Sequence, residues 1–126
     1  RRYKVARFYC DPRHWETQID QWATRHGEDV VWEFPTNSIG RMFPALLRYR
    51  EDLAGELTTH SVDEVMKLHA LAARKVAKPG DKFILGKPSE NQKIDLLMAD
   101  VLAHEAAADA RADGWGTSTT NYVLIG

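Results

Sequence analysis

Hydrophobic and polar positions along this chain switch between two periods, and the switches mark its elements. Val5 to Cys10 is a short apolar-rich run of buried-strand composition, and Asp11-Pro12 ends it, because proline has no amide hydrogen to continue a ladder. Trp15, Ile19, Trp22 and Ala23 then recur at helical spacing, and His26-Gly27 gives a cation in the last turn followed by a glycine suited to a left-handed cap. Asp29 to Phe34, with the unbroken core Val30-Val31-Trp32, predicts a second strand that Pro35 terminates. Strand, helix and strand make a βαβ unit, and such a unit implies a parallel sheet.

The second half is mainly helical in pattern. A helix is expected from about Arg41 to Ala54-Gly55, with Pro44 in its first turn and Met42, Phe43, Leu46, Leu47 and Leu53 on its buried side. Ser61-Val62-Asp63-Glu64 fits a capping box and predicts a helix over 62–77 with Val65, Leu68, Ala72 and Val76 facing inward. Pro79-Gly80-Asp81 is a turn, and Lys82 to Lys87 is a third strand candidate stopped by Pro88. Ser89-Glu90-Asn91-Gln92 is a second capping box, and it opens a helix expected from Glu90 to about Asp113, ended by Gly114. Residues 1–115 read as one domain and 116–126 as a polar tail, in which Tyr122-Val123-Leu124-Ile125 suits an edge strand or surface packing.

Composition narrows the classes. A chain of 126 residues is one domain or a piece of one. With 17 basic against 18 acidic residues, no global field favours nucleic acid or membrane, so any polyanion must be held by a local patch. The single Cys10 excludes a disulfide framework and reads as a small buried hydrophobe in a reducing compartment. No apolar stretch approaches the roughly 18 residues of a membrane span, and the start lacks a signal peptide, so a soluble intracellular protein is expected. A start without Met, running almost at once into a strand, is how an excised fragment looks, with strands upstream missing.

Two aspartates stand where chemistry is the natural use for them. Asp11 closes the first strand, and a carboxylate at the carboxyl end of a buried strand faces the crevice where open α/β sheets bind ligands. Asp95 falls on a helical wheel beside Leu102 and Ala106, within the arc of Met98 and Ala99, so it is expected to point at the core or a cleft. Asp100, Glu105 and Asp109 are expected on a solvated face. The plainer alternatives are a turn residue before proline for Asp11 and a first-turn carboxylate favoured by the helix dipole for Asp95. Together the two are a start on a Mg²⁺ or Mn²⁺ site, since hard cations take oxygen ligands. Zinc fits poorly, because His14, His26, His60, His69 and His104 show no ligand spacing. His14 and His26 sit at helix ends and His104 on an exposed face, whereas His69 suits a hydrogen-bonded core histidine. No glycine-rich phosphate loop is present. Lys87 and Lys93 bracket the start of the Asp95 helix, a position that attracts an anion.

The order Phe8-Tyr9-Cys10-Asp11-Pro12, Trp15, Val30-Val31-Trp32-Glu33-Phe34, Met42, Ala45-Leu46, Gly55-Glu56-Leu57-Thr58-Thr59-His60, His69, Ala73-Arg74, Gly86-Lys87 and Lys93-Ile94-Asp95 resembles a known family. It is similar to the C-terminal nuclease domain of the tailed-bacteriophage terminase large subunit, in the form found in phages and prophages of actinobacteria, over residues 1 to about 115. The resemblance implies a ribonuclease H-like α/β fold, here lacking its first strands, with an acidic cluster holding Mg²⁺ or Mn²⁺. It implies a metal-dependent endonuclease that cuts concatemeric double-stranded DNA during packaging. The implied partners are DNA, the portal protein, the small terminase subunit and an N-terminal ATPase domain, in a homo-oligomeric motor within the cytoplasm of the bacterial host. By position, Asp11 resembles the family's second acid, Asp95 the acid on the last helix and Lys87 the basic residue before it. His60 and His69 match family positions without an assigned role.

The chain also departs from that pattern. No residue corresponds to the family's first catalytic aspartate, and the antiparallel strands that usually precede this region are absent. His60-Ser61-Val62-Asp63-Glu64 stands where many relatives have His-Asp-Gly-Asp-Pro, and Ala72 replaces a usual Asn. The implied metal site is therefore incomplete, and weak or no cleavage by this chain alone is expected. The competing expectations are a non-catalytic docking domain of the packaging motor and a small-molecule-binding α/β domain.

Overall fold

The computed structural model describes residues 3–59 and 63–116. Its elements run β1 (Phe8–Cys10), α1 (Glu16–His26), β2 (Val31–Glu33), α2 (Ile39–Ala54), α3 (Glu64–Ala72), β3 (Arg74–Lys78), β4 (Lys82–Gly86) and α4 (Asp95–Ala112). The expected βαβ unit is there, with shorter strands. β1 and β2 pair in parallel, Phe8 opposite Val31 and Cys10 opposite Glu33. The ladder is closed at its ends by the Phe8 amide on the Val30 carbonyl and the Phe34 amide on the Cys10 carbonyl, each at 2.7 Å.

Side chains alternate across a strand, so β1 divides the core in two. Cys10 packs with Ile19 and Val31 on the α1 side. Tyr9 packs with Phe34, Met42, Leu46, Tyr49, Val101, Leu102 and Ala106 on the other, where α2 and α4 lie. Helices thus cover both faces of the parallel pair, as such sheets require. On α1, Ile19 is buried and Ala23 half-buried, whereas Trp15 and Trp22 are exposed and stack on each other with centroids 6.4 Å apart. Gly27 follows α1 at φ 113°, and a Cβ there would meet Asp29 Oδ1 at 2.6 Å. Pro44 lies inside α2 rather than in a first turn at Arg41, because the helix already starts at Ile39. Gly40, whose carbonyl loses a helical donor to that proline, is exposed, so water can satisfy it.

The region 62–86 differs from expectation. The helix begins after Asp63, whose side chain accepts the Met66 amide at 3.0 Å and so serves as the N-cap. It stops at Ala72, and Val76, expected on its inner face, lies half-exposed on β3. Arg74 ends the helix: its Nη1 donates to the carbonyls of Leu71, Ala72 and Ala73 at 2.9, 3.1 and 3.0 Å. β3 then pairs antiparallel with β4, Val76 opposite Ile84. The third strand candidate therefore joins a hairpin, not the parallel sheet. Val65 and Leu68 are exposed, and of α3 only Ala72 is buried. The hairpin leans on α2 through an edge-to-face contact of Phe43 and Phe83, centroids 5.1 Å apart.

The last helix starts at Asp95, five residues after the expected Glu90. Ser89 to Gln92 forms a turn instead, with the Gln92 amide on the Ser89 carbonyl at 3.3 Å. The architecture is mixed α/β. No helix among the described residues is long and apolar enough to cross a membrane. His60, the capping residue Ser61 and the edge-strand candidate Tyr122 to Ile125 lie outside the described residues.

Candidate functional site

Asp11 stands where the sequence placed it, one residue past β1 at the carboxyl edge of the parallel pair. It is half-buried. Its Oδ2 accepts the Thr36 hydroxyl at 2.5 Å, and its Oδ1 accepts the Arg13 amide at 3.3 Å. Thr36 follows β2, so the loops after both strands meet at this carboxylate. His14, in the turn between Pro12 and Trp15, takes φ 68°, a left-handed conformation that costs a non-glycine residue roughly 1–2 kcal/mol. Cys10, immediately before, is buried, and burial pushes its thiol up to about 11, which agrees with an inert small hydrophobe.

Asp95 is exposed, contrary to the wheel, which placed it among buried positions. The reason is the late helix start. Asp95 is the first residue of α4, beyond the reach of the neighbours that bury Val101 and Leu102 one to two turns on. It fits the macrodipole reading of an acid in the first turn. His69 reaches the same helix end from α3, and the Leu96 amide donates to its Nδ1 at 3.0 Å. His69 is thus a hydrogen-bonded histidine that caps α4 from another element. Lys87 is exposed and pairs with Glu90 at 3.4 Å, and Lys93 is exposed as well.

The polar residues of α4 expected in solvent form a seam against α2 and β1 instead. Tyr49 donates to Asp100 and Tyr9 to Asp109, each at 2.5 Å. His104 Nε2 lies 2.8 Å from Asp52, and Arg48 lies 3.2 Å from Glu105 and 3.7 Å from Asp109. Glu105 is buried, 7% exposed. Burial holds its carboxyl above the usual range against the pull of Arg48, and the neighbouring Asp109 pushes the same way as burial. Burial raises Tyr49 and Tyr9 too, and donation to their carboxylates adds to it. The seam ends at Arg7 and Asp113, paired at 2.7 Å. Nothing in a two-class wheel separates these acids from surface ones, because their partners come from α2 and β1, 50 to 100 residues away.

Sequence reading also missed a basic ribbon. Arg74, Lys75, Lys78, Lys82 and Lys87 line the β3–β4 hairpin and its exit, with Asp81 the sole acid between 74 and 87. Lys75 lies over the Phe83 ring at 4.6 Å, and Arg74, Lys75 and Lys82 are exposed. Folding 74–78 as helix would have spread these charges around an axis, whereas the hairpin lays them along a ribbon.

Asp11 and Thr36 are hard oxygen donors, the kind Mg²⁺ and Mn²⁺ take. They fit such an ion in kind but not in number: among the described residues, no three His, Cys, Asp or Glu side chains come together where an ion could be held. What the arrangement offers is one oriented carboxylate at a sheet edge, a capped helix start bearing a second, and a basic ribbon. Neither a family model, nor a curated protein, nor a solved structure matches this chain.

Proposed function

We propose that this chain is part of a metal-dependent DNA endonuclease of ribonuclease H-like fold, the nuclease module of a phage packaging terminase. The observation that carries the reading is Asp11, held by Thr36 at the carboxyl edge of a parallel pair flanked by helices, the place where α/β folds put ligands. The basic hairpin agrees with it, since a duplex is gripped mainly through phosphates and a ribbon of lysines and arginines is the complement. In this reading Asp11 and Asp95 are two of the carboxylates and Lys87 lies near the scissile phosphate.

Manganese titration by calorimetry on the wild-type chain, Asp11→Asn and Asp95→Asn tests the site. Each substitution is expected to weaken binding by about tenfold or more, and unchanged isotherms would remove both residues from it. The DNA part is tested separately by filter binding across a salt series. Lys78→Ala combined with Lys82→Ala is expected to flatten the log–log slope by roughly two. A second reading, a docking domain of the same motor without catalysis, is favoured by one feature: the Asp11 oxygens are both hydrogen-bonded already while Asp95 lies in solvent. Under it, manganese binds no more tightly to wild type than to either variant.

A further inference from the structure

Asp11 is held from two loops at once. Its Oδ1 accepts the Arg13 amide of its own loop at 3.3 Å, and its Oδ2 accepts the Thr36 hydroxyl of the loop after β2 at 2.5 Å. Both loops are turns that start on a proline. The Trp15 amide donates to the Pro12 carbonyl at 2.9 Å, and the Ser38 amide donates to the Pro35 carbonyl at 3.2 Å. The roots of the two turns are tied together by the 2.7 Å bond from the Phe34 amide to the Cys10 carbonyl at the end of the ladder. Proline fixes its own φ, and threonine, branched at Cβ, is restricted at χ1. The turn backbone therefore sets where the Thr36 hydroxyl stands, with little side-chain freedom left to lose when it donates to Asp11.

We infer that Thr36 is the positioning residue of the Asp11 carboxylate, and that Asp11 takes a divalent cation in the orientation this hydroxyl holds. The inference rests on the metal-binding reading of Asp11. Two donors do not exhaust the group, because an ionised carboxylate has about four lone-pair sites and half of them stay open to an ion. A hydrogen bond from outside the metal's own ligand set is what orients a ligating carboxylate, and losing such a partner lowers affinity roughly 10–100-fold. The two donors differ in kind. The Arg13 amide lies two residues along the same turn, a bond that an aspartate makes from its own sequence. The Thr36 hydroxyl comes from 25 residues away, across the sheet edge, and needs a serine or threonine at that position. It is therefore the donor that a side-chain substitution can remove.

The test is manganese titration by calorimetry on the full chain: wild type, Thr36→Val, Thr36→Ala, Thr36→Ser, Asp11→Asn and the Asp11→Asn, Thr36→Val double variant. Urea unfolding in metal-free buffer accompanies each. Valine keeps the shape of threonine without the hydroxyl, alanine removes it without setting a methyl against the carboxylate, and serine retains it. Thr36→Val and Thr36→Ala are each expected to weaken manganese binding by about tenfold or more, with Thr36→Ser within about threefold of wild type. The double variant is expected to bind no more weakly than Asp11→Asn alone, because Thr36 acts only through that carboxylate. A residue that merely supported its loop would lower affinity in both backgrounds alike. If Asp11→Asn weakens binding while Thr36→Val and Thr36→Ala bind like wild type, the positioning role is overturned and the metal reading stands. Additive losses in the double variant overturn it too, since Thr36 would then act on the ion or the loop and not through Asp11. If wild type takes up no manganese, or Asp11→Asn leaves the isotherm unchanged, the metal reading fails and this inference fails with it.

Discussion

Arg48→Met should destabilise this protein more than Glu105→Gln, although both break the same ion pair. The asymmetry follows from where the two charges sit. The Glu105 side chain is 10% exposed and that of Arg48 45%. Taking Arg48 away leaves a buried carboxylate facing Asp109, for which the loss in fully buried pairs is roughly 3–5 kcal/mol. Because water reaches Arg48, about 1–3 kcal/mol is the expected cost at pH 7. Replacing Glu105 by its isosteric amide leaves only a half-solvated guanidinium, and the cost is expected to lie within about 1 kcal/mol of zero, on either side. The pH dependence has a definite sign. Burial raises the folded-state pKa of Glu105 above its unfolded value, so the folded protein binds that proton more tightly. Its contribution to stability is fully present below the unfolded pKa, about 4.3, and is lost as pH rises through the folded one. Removing Arg48 raises the folded pKa further, so the Arg48→Met penalty should shrink on acidification from pH 7 toward pH 4. Urea unfolding of wild type and both variants at pH 7, 6, 5 and 4 measures all of this. A penalty for Glu105→Gln larger than for Arg48→Met, or an Arg48→Met penalty that grows on acidification, would refute the account of a desolvated carboxylate held chiefly by Arg48.

Three further outcomes follow from single contacts. Gly27→Ala should cost roughly 1–3 kcal/mol by urea unfolding, since the residue sits at φ 113° and a Cβ would strike Asp29; Gly27→Ala combined with Asp29→Ala should recover part of that cost. His69→Ala removes the acceptor for the Leu96 amide and should cost about 0.5–2 kcal/mol, with faster amide exchange confined to the first turn of α4. Cys10, buried with its thiol raised to about 11, should resist iodoacetamide at pH 8 in the native protein and react readily in urea; equal rates in both would show that the strand is not packed as described.

The first half of the fold was legible because its signals are local. Asp11-Pro12 and Pro35 stop strands by chemistry that depends on no distant residue, and the Gly27 turn needs only its own backbone freedom. The region 62–86 was misread because two local signals competed. Helical spacing of Val65, Leu68, Ala72 and Val76 argued for one long helix, while the strand segment Lys75-Val76-Ala77-Lys78 carries little intrinsic preference either way. What decides it is Arg74, whose guanidinium gathers three carbonyls and closes the helix, and the packing of Phe83 on Phe43, a contact across 40 residues. Neither is visible as periodicity.

The candidate site was legible to the same degree and for the same reason. Asp11 is fixed by the end of β1, so its placement at the sheet edge survived. Asp95 was placed by its angle to Leu102 and Ala106 on a helix assumed to run already from Glu90, whereas Ser89 to Gln92 closes a turn and Asp95 is the first helical residue, exposed at its end. The same wheel sent Glu105 and Asp109 to solvent, when they face Arg48 and Tyr9. A helix wheel assigns faces by hydrophobicity alone, and α4 is a case where it must fail. The side of α4 turned toward α2 and β1 buries Val101, Leu102 and Ala106, and beside them Asp100, Glu105 and Asp109 are satisfied by tyrosine and arginine, while alanines 99, 103 and 107 are exposed. Hydrophobicity alone therefore scores three exposed alanines as core and three partnered acids as surface, because it cannot see the tyrosines and arginine that satisfy the acids from β1 and α2.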